Sequence, residues 1–490
     1  MEKQTPTTPQ QETHAPLDVL ILAAGLGTRM RSQKAKVLHQ LGGRPLIAHV
    51  CRTATALDPR RIYVVVGHQA EAVADAVRVE LGEDGATFIK QTEQRGTGDA
   101  VMAAREALQA TTDSTLLVLS GDVPLVRAET LAALVHQHRT HRARGAGCTM
   151  LAVRLEDPAG YGRIIRDAEG RFEKIVEQRD ATAEEKLVNE INAGIYCFDT
   201  RTLFPALARV QPSNAQGEYY LTDVPGLLRT EGADVTVYLH TDAREVSGIN
   251  TRVELAEFER LLRERKLRRL MLDSGVTFID PRHTYVSQDA QVGRDCVIHP
   301  DVHIEGQSII GDGCEIRSGT RITNSRIGNG VTIKDHCVIV DSEISDNCTV
   351  GPFAHLRMNS KLEDRAAVGN FVEMKKSRLG SRSKSMHLTY LGDATIGAET
   401  NIGAGTITCN YDGKNKHQTI IEDDVKIGSD TMLVAPVRVG RGSVTAAGSV
   451  VREDVPPDSL VAGVPAKVKK QLRQEKTSTT EDTEEHRGKQ

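Results

Sequence analysis

The chain has 490 residues, enough for two or three domains, and its 62 basic against 66 acidic side chains leave a formal charge of −4. That balance excludes a broad electrostatic surface for nucleic acid or membrane, and no apolar run reaches the roughly 20 residues that a membrane helix needs. Eight cysteines without a CxxC pair exclude the common zinc and thioredoxin-like spacings, and the lack of tryptophan beside nine Tyr and eight Phe predicts a largely aliphatic core.

Residues 1–16 are polar, with no apolar stretch of the kind a secretion signal carries, and are expected to be a disordered extension of a cytoplasmic protein. Residues 17–251 alternate strands with helices. Leu17–Ala24, Arg61–Gly67 and Thr115–Ser120 are continuous aliphatic runs, as strands buried on both faces should be. Pro45–Leu57, Gln69–Leu81 and Thr97–Leu108 read as the intervening helices. This rhythm predicts a Rossmann-like α/β domain with a mostly parallel sheet and ligands at the carboxyl ends of its strands. Residues 252–273 carry Leu255, Phe258 and Leu262 at helical spacing amid charges, which predicts a helical arm between domains; a surface helix packed on the first domain is the alternative.

From 274 to 469 a six-residue aliphatic period takes over. It runs through Val292, Ile298, Ile304, Ile310, Ile316 and Ile322, slips by one and resumes at Ile327, Ile333 and Ile339, then slips again and continues from Ile344. Such a period marks a left-handed parallel β-helix, each hexad forming one side of a coil, and its narrow prism leaves no room for aromatic rings. Cys296, Cys314, Cys337 and Cys348 each precede a key aliphatic by two residues and read as small core fillers. The period breaks at 375–394 and again at 409–418, and both stretches are expected to be loops projecting from the scaffold. Residues 470–490 are charged and aperiodic and are expected to form a disordered tail.

Two stretches of the first domain carry chemistry. The strand at 19–24 enters Gly25-Leu26-Gly27-Thr28-Arg29, a glycine-rich turn whose backbone N–H groups suit phosphate oxygens, with Lys36 following. It lacks the Gly-Lys-Ser/Thr of a Walker loop and the third glycine of a dinucleotide fingerprint, so a plain tight turn remains open on these residues alone. The strand before Gly121-Asp122 places a carboxylate at the ligand edge of the sheet, where Mg2+ bridging phosphates needs oxygen ligands and where a simple turn or cap is the alternative. A third glycine-rich element, Gln91 to Gly98, precedes a helix and could receive a base or phosphate.

Together with Gly160-Tyr161-Gly162-Arg163, Ile175-Val176-Glu177, Glu190–Gly194 and Gly248-Ile249-Asn250, LAAGLGTRM resembles the sugar-1-phosphate nucleotidylyltransferases. Followed by hexapeptide repeats, with GNFVEMKKS, HLTYLGDA and NIGAGTITCNYDG, the chain is similar over about 17–465 to the bifunctional N-acetylglucosamine-1-phosphate uridylyltransferase/glucosamine-1-phosphate acetyltransferase family. The resemblance implies UDP-N-acetylglucosamine synthesis for bacterial envelope precursors, peptidoglycan and lipopolysaccharide, from UTP and acetyl-CoA. It implies Mg2+ on Asp122 and Asn250, with Arg29 and Lys36 catalytic against the phosphates. It places the nucleotide and UDP-sugar against Leu22, Ala23, Ala24, Gly25, Gln91, Gly96, Thr97, Ser120, Gly121 and Asp122, and the sugar against Gly162, Glu177, Asn192 and Asn250.

In the second domain the resemblance implies His387 as general base, a role that residue type alone does not separate from a solvated loop imidazole. It implies glucosamine-1-phosphate on Arg357, Lys375, Tyr390 and Asn401, and acetyl-CoA on Ala404, Asn410, Tyr411, Ser429 and Ala447. A homotrimer is implied as well, with no nucleic-acid or membrane partner. Three departures stand out: Ala35 where proline is frequent, expected to loosen the loop; Asp99 in place of a histidine, expected to set an anion near the nucleotide; and no arginine after Val464-Pro465, leaving Lys467, Lys469 or Lys470 to meet coenzyme A phosphates. A nucleotidylyltransferase with a merely structural β-helix, and an assembly subunit without chemistry, are the competing readings.

Overall fold

A computed structural model describes residues 15–472 apart from 26, 110–112 and 143–144. Most of the expected N-terminal extension, the expected tail from 473 onward and Leu26 of the glycine turn lie outside the described residues. The chain forms two compact units that divide between Leu262 and Arg263.

The first unit is built on one mixed sheet. Its strands are β1 (Leu17–Ala23), β2 (Arg61–Val66), β3 (Thr87–Lys90), β4 (Thr115–Ser120), β5 (Ala146–Arg154), β6 (Arg163–Arg166), β7 (Phe172–Val176), β8 (Glu190–Asp199) and β9 (Asp234–His240). They lie in the order β9-β5-β8-β4-β1-β2-β3, with β6 and β7 attached as a hairpin to β8. Alternate residues of the aliphatic strands feed different cores: Val19 and Ile21 pack with Val64, Leu117 and Leu119, whereas Leu20 packs with Val65, Leu116 and Val118. Burial on both faces is why these strands read as continuous apolar runs. β8 runs antiparallel to both neighbours and carries a register shift between Asn192 and Tyr196, where Gly194 takes φ 71°. The helix expected over 97–108 is two, Thr97–Ala103 and Arg105–Gln109, because the Ala104 N–H bonds back three residues to Val101 and closes the first.

The helix Arg252–Asp273 serves both units. Phe258 and Leu261 pack with Leu41, Leu46, Leu125 and Ile249, while Leu267 and Leu270 join the core of the second unit. Within that unit the buried Lys266 ammonium donates to the carbonyls of Gln288 (3.0 Å) and Ala290 (2.7 Å), satisfying backbone acceptors of the first coil.

The second unit is the predicted β-helix. Its short strands form three sheets of 12, 10 and 9 strands, each strand pairing with the one three further along the chain until the last two steps of the 12-stranded sheet, from Val444–Thr445 to Ser459–Ala462 to Lys467–Gln471. All pairs are parallel except the last strand of the first sheet, so equivalent side chains stack in columns such as Ile298, Ile316, Ile333, Val350 and Val368. The coils approach closely at one glycine corner: a Cβ on Gly311 would lie 2.6 Å from the Gly328 carbonyl oxygen. The four repeat cysteines are buried free thiols in this core.

Two expectations change. Residues 375–394 are not a projecting loop but a further coil, with Leu379 and Leu391 inward and Ser385 in register with Val368 and Ile402. A serine in an aliphatic slot hides the period. Only 410–418 leaves the coil, closed by a bridge between Tyr411 and Lys416. The start of the tail is also structured: Lys467–Gln471 pairs antiparallel with Ser459–Ala462.

Asp199, at the end of β8, shows how the first unit is held. Its Oδ1 accepts from the Arg201 N–H (2.9 Å) and caps the following helix, and its Oδ2 accepts from Arg142 (2.8 Å). Burial pushes this carboxyl up, but the Arg201 and Arg142 hydrogen bonds outweigh it and bring the pKa down to about 2. A carboxyl depressed from near 4 stabilises the fold above its unfolded pKa and loses that contribution as pH falls through 4 toward 2. Asp199→Asn is therefore expected to lower urea stability of the first unit by about 2 kcal/mol at pH 7 and to flatten its acid dependence.

Candidate functional sites

The first site is a cleft of about 600 Å³ at the carboxyl ends of β1 and β4. Leu22, Ala23, Ala24, Gly25, Lys36, Gln91, Gly96, Thr97, Ser120, Asp122, Glu177 and Asn192 line it. Gly121 and Gly162 lie behind that wall, the one following Ser120 with its N–H on the Leu22 carbonyl, the other packed beside the Glu177 carboxyl. Gly27 is in the left-handed region, and a Cβ there would lie 2.5 Å from that of Lys36, so the loop can lie on the lysine stem only as glycine. The Lys36 ammonium meets the Asp122 carboxylate and donates to Asn250 Oδ1 at 3.1 Å; Arg29 donates to the same oxygen at 2.9 Å.

Ser120 Oγ donates to Asp122 Oδ1 at 2.6 Å. Burial pushes the Asp122 carboxyl up, yet the Lys36 charge with the Lys36 and Ser120 hydrogen bonds holds it below the usual carboxylate range. Glu177 goes the other way: burial raises it against a hydrogen bond from Thr222. Asn192 is set by the β8 shift, its Nδ2 donating to the Tyr196 hydroxyl at 2.6 Å and its Oδ1 accepting from the Gly194 N–H at 3.1 Å. Ala35 does not loosen the loop. Its N–H, which proline lacks, donates to Gln69 Oε1 at 2.8 Å, and Gln69 in turn donates to the Gln33 carbonyl at 3.0 Å. Gln94, which the sequence reading passed over, lines the cleft and ties it to β1 by donating to the Ala24 carbonyl at 2.7 Å.

The second site lies on the β-helix. Parallel register sets Arg357 beside Lys375, and Asn370 beside His387. His387 Nδ1 is 2.6 Å from Asn370 Oδ1, an acceptor, so the ring proton sits on Nδ1 and the lone pair on Nε2. The Arg357 guanidinium is oriented by Glu373 Oε1 at 2.9 Å. The Lys375 ammonium titrates below its ordinary range because the Lys416 ammonium lies against it, with Arg357 adding to the repulsion. Three cations thus converge where the sequence reading had two, since Lys416 belongs to the 410–418 excursion. Such a cluster suits a dianionic phosphate.

Tyr390 and Asn410 both close over Gly392, where a Cβ would meet the Tyr390 hydroxyl at 2.4 Å and Asn410 Nδ2 at 2.7 Å. Asn410 is held by Asp393 Oδ2 at 2.6 Å, and the exposed Tyr411 hydroxyl donates to the Gly413 carbonyl at 2.7 Å. Ala404, Ser429 and Ala447 stack at one corner of successive coils, tied by Asp430 N–H to the Ala404 carbonyl (2.7 Å) and Gly448 N–H to the Ser429 carbonyl (2.8 Å). Asn401 stands apart from Arg357 and Lys375, on the 12-stranded face between Lys384 and Lys426. Lys467, Lys469 and Lys470 are exposed on the terminal strand.

A glycine-rich loop clamped on a lysine at a parallel sheet edge, followed by a hexapeptide β-helix bearing a cluster of three cations and an asparagine-held histidine on the same stack of coils, defines a nucleotidyltransferase joined to a hexapeptide transferase. The family descriptions agree: a MobA-like NTP transferase domain fits residues 19–276, a GMPPB C-terminal domain fits 281–377, and the bacterial transferase hexapeptide fits 418–453. The Bifunctional protein GlmU of Heliobacterium modesticaldum is 50% identical over 90% of this chain and 94% of its own length. Those of Geobacillus sp. (48%, over 90% and 94%) and Geotalea uraniireducens (47%, over 93% and 98%) are comparably similar. The chain belongs to the bifunctional GlmU family.

Because Gly27 alone permits the close approach to Lys36, Gly27→Ala is expected to weaken nucleotide binding about tenfold or more, a loss of at least about 1.4 kcal/mol, while the fold persists. Titration calorimetry with UTP, beside a circular dichroism melt, reads both quantities.

Proposed function

We propose that this chain is a bifunctional enzyme of UDP-N-acetylglucosamine synthesis. It acetylates glucosamine-1-phosphate with acetyl-CoA on the β-helix and transfers uridylyl from UTP to N-acetylglucosamine-1-phosphate in the first cleft. The observation that carries the pair of activities, against a β-helix that is only a scaffold, is the convergence of the Arg357, Lys375 and Lys416 cations on the same stack of coils that holds the His387–Asn370 hydrogen bond.

At the second site the three cations hold the sugar phosphate, and the amine attacks the thioester carbonyl. His387 Nε2 takes the amine proton as the carbon–sulfur bond breaks and passes it to the departing thiolate, so that coenzyme A leaves as the thiol. Asn370 keeps the ring in the tautomer that makes this possible. Tyr390 and Asn401 serve the sugar, and Ala404, Asn410, Tyr411, Ser429 and Ala447 serve acetyl-CoA.

At the first site a phosphate oxygen of N-acetylglucosamine-1-phosphate attacks the α-phosphorus of UTP, and pyrophosphate departs. Arg29 and Lys36 stabilise the charge on the phosphates, with no covalent residue required. Glu177, Asn192 and Gly162 receive the sugar. Lys36 Nζ sits where an Asp122 oxygen and Asn250 Oδ1 converge, a pair of oxygens already arranged around positive charge. Asp122 and Asn250 would hold Mg2+, an ion that takes few protein ligands and neutralises substrate phosphates when bound. Dependence on UTP and acetyl-CoA supports a cytoplasmic enzyme.

The functional unit is a homotrimer. Phe353 and Phe371 stack at 5.4 Å on one corner of the β-helix, with Leu388 on the next coil, and all three are exposed beside His387. An exposed apolar ladder of this kind suits a second copy of the chain.

His387→Ala is expected to lower thiol release from acetyl-CoA by about 10²-fold or more and to leave pyrophosphate release from UTP unchanged; EDTA is expected to do the reverse. Phe371→Glu is expected to shift the protein from trimer toward monomer in analytical ultracentrifugation, with acetyl transfer falling and uridylyl transfer retained. A trimer that survives the substitution removes the ladder as its interface.

A further inference from the structure

Asp99 lies in the first turn of the helix Thr97–Ala103, and both its carboxylate oxygens are engaged. Oδ2 accepts from Gln91 Nε2 at 2.8 Å and Oδ1 from the Arg95 guanidinium at 3.1 Å. Gln91 Nε2 also donates to the Gly96 carbonyl at 3.3 Å. Two acceptors face one atom of the amide, and only nitrogen satisfies both, so the chemistry fixes which way the amide points. Gln91 is 6% exposed and lines the nucleotide cleft with Gly96. Its Oε1 takes no donor among the described residues.

We propose that Asp99 is a positioning residue that selects uracil over cytosine, by locking the Gln91 amide so that only its oxygen is left for the base. The inference rests on reading the cleft as the UTP site. Uracil offers one donor on its pairing edge, N3–H, which meets that oxygen; cytosine carries a lone pair at N3 and leaves both acceptors unpaired in a desolvated place. Ionised carboxylate is the side chain suited to this task because it only accepts. An amide at position 99 can donate instead, and the Gln91 amide is then held against turning its NH₂ group toward N3 of cytosine only by the longer contact to the Gly96 carbonyl. Arg95 holds the other carboxylate oxygen in place and is itself held over the Tyr219 ring at 5.7 Å.

The test compares pyrophosphate release from UTP and from CTP, with N-acetylglucosamine-1-phosphate, by the full chain and by Asp99→Asn and Asp99→Ala. Thiol release from acetyl-CoA by the same preparations reports folded protein. In both variants the ratio of kcat/KM for UTP over CTP is expected to fall about tenfold or more. A merely structural role for Asp99 lowers both nucleotides together, so an unchanged ratio overturns the inference. A wild-type chain that releases no pyrophosphate from UTP overturns the uridylyltransferase reading first, and this inference with it.

Discussion

Parallel, in-register strand pairing is the constraint on which both sites depend. In the first unit it brings β1, β2, β3 and β4 to a common carboxyl edge, so that the glycine loop, the Gln91 segment after β3 and Asp122 after β4 meet without any of them being adjacent in sequence. In the second it stacks one coil on the next at nearly constant spacing. Arg357 stands beside Lys375, and Asn370 beside His387, because register leaves them no other place. Register thus converts a sequence separation of 17 residues into a 2.6 Å hydrogen bond.

Both sites gather positive charge and neutralise only part of it. Lys36 is matched by Asp122, and Arg29 is left with an uncharged amide oxygen. In the β-helix Arg357 has Glu373, whereas Lys375 and Lys416 repel each other. The surplus is the physical request for a phosphate, since a dianion relieves the repulsion among the cations of the cluster. Carboxylates orient cations at both sites: Asp122 holds the Lys36 ammonium within the cleft, and Glu373 holds the Arg357 guanidinium.

Much of this was legible in the sequence, and what was not has a common cause. The six-residue period exposed the β-helix, and continuous aliphatic runs exposed the sheet, because both patterns follow directly from burial. Ser385 concealed one coil by placing a hydroxyl where the period demands an aliphatic. Asn370 carried no local signal: it is an asparagine near a corner until register sets it against His387. Lys416 was hidden in an excursion whose course depends on the Tyr411 bridge. Ala35 and Asp99 read as weakening departures when compared residue by residue, yet each is compensated by a partner elsewhere, Gln69 for the one and Gln91 with Arg95 for the other.

Backbone strain marks the same region. The corners of the β-helix need left-handed residues, and most are glycine, aspartate or asparagine, which adopt that conformation at little cost. Phe353, Phe371 and Leu388 adopt it as well, at φ 53°, 56° and 49°, with large side chains turned outward. Each costs about 1–2 kcal/mol relative to glycine and gains little from burial within its own chain. A run of three such residues on successive coils, ending beside His387, is not what intramolecular stability alone selects. The proposed contact with another copy would repay the strain through apolar burial, at residues that flank His387.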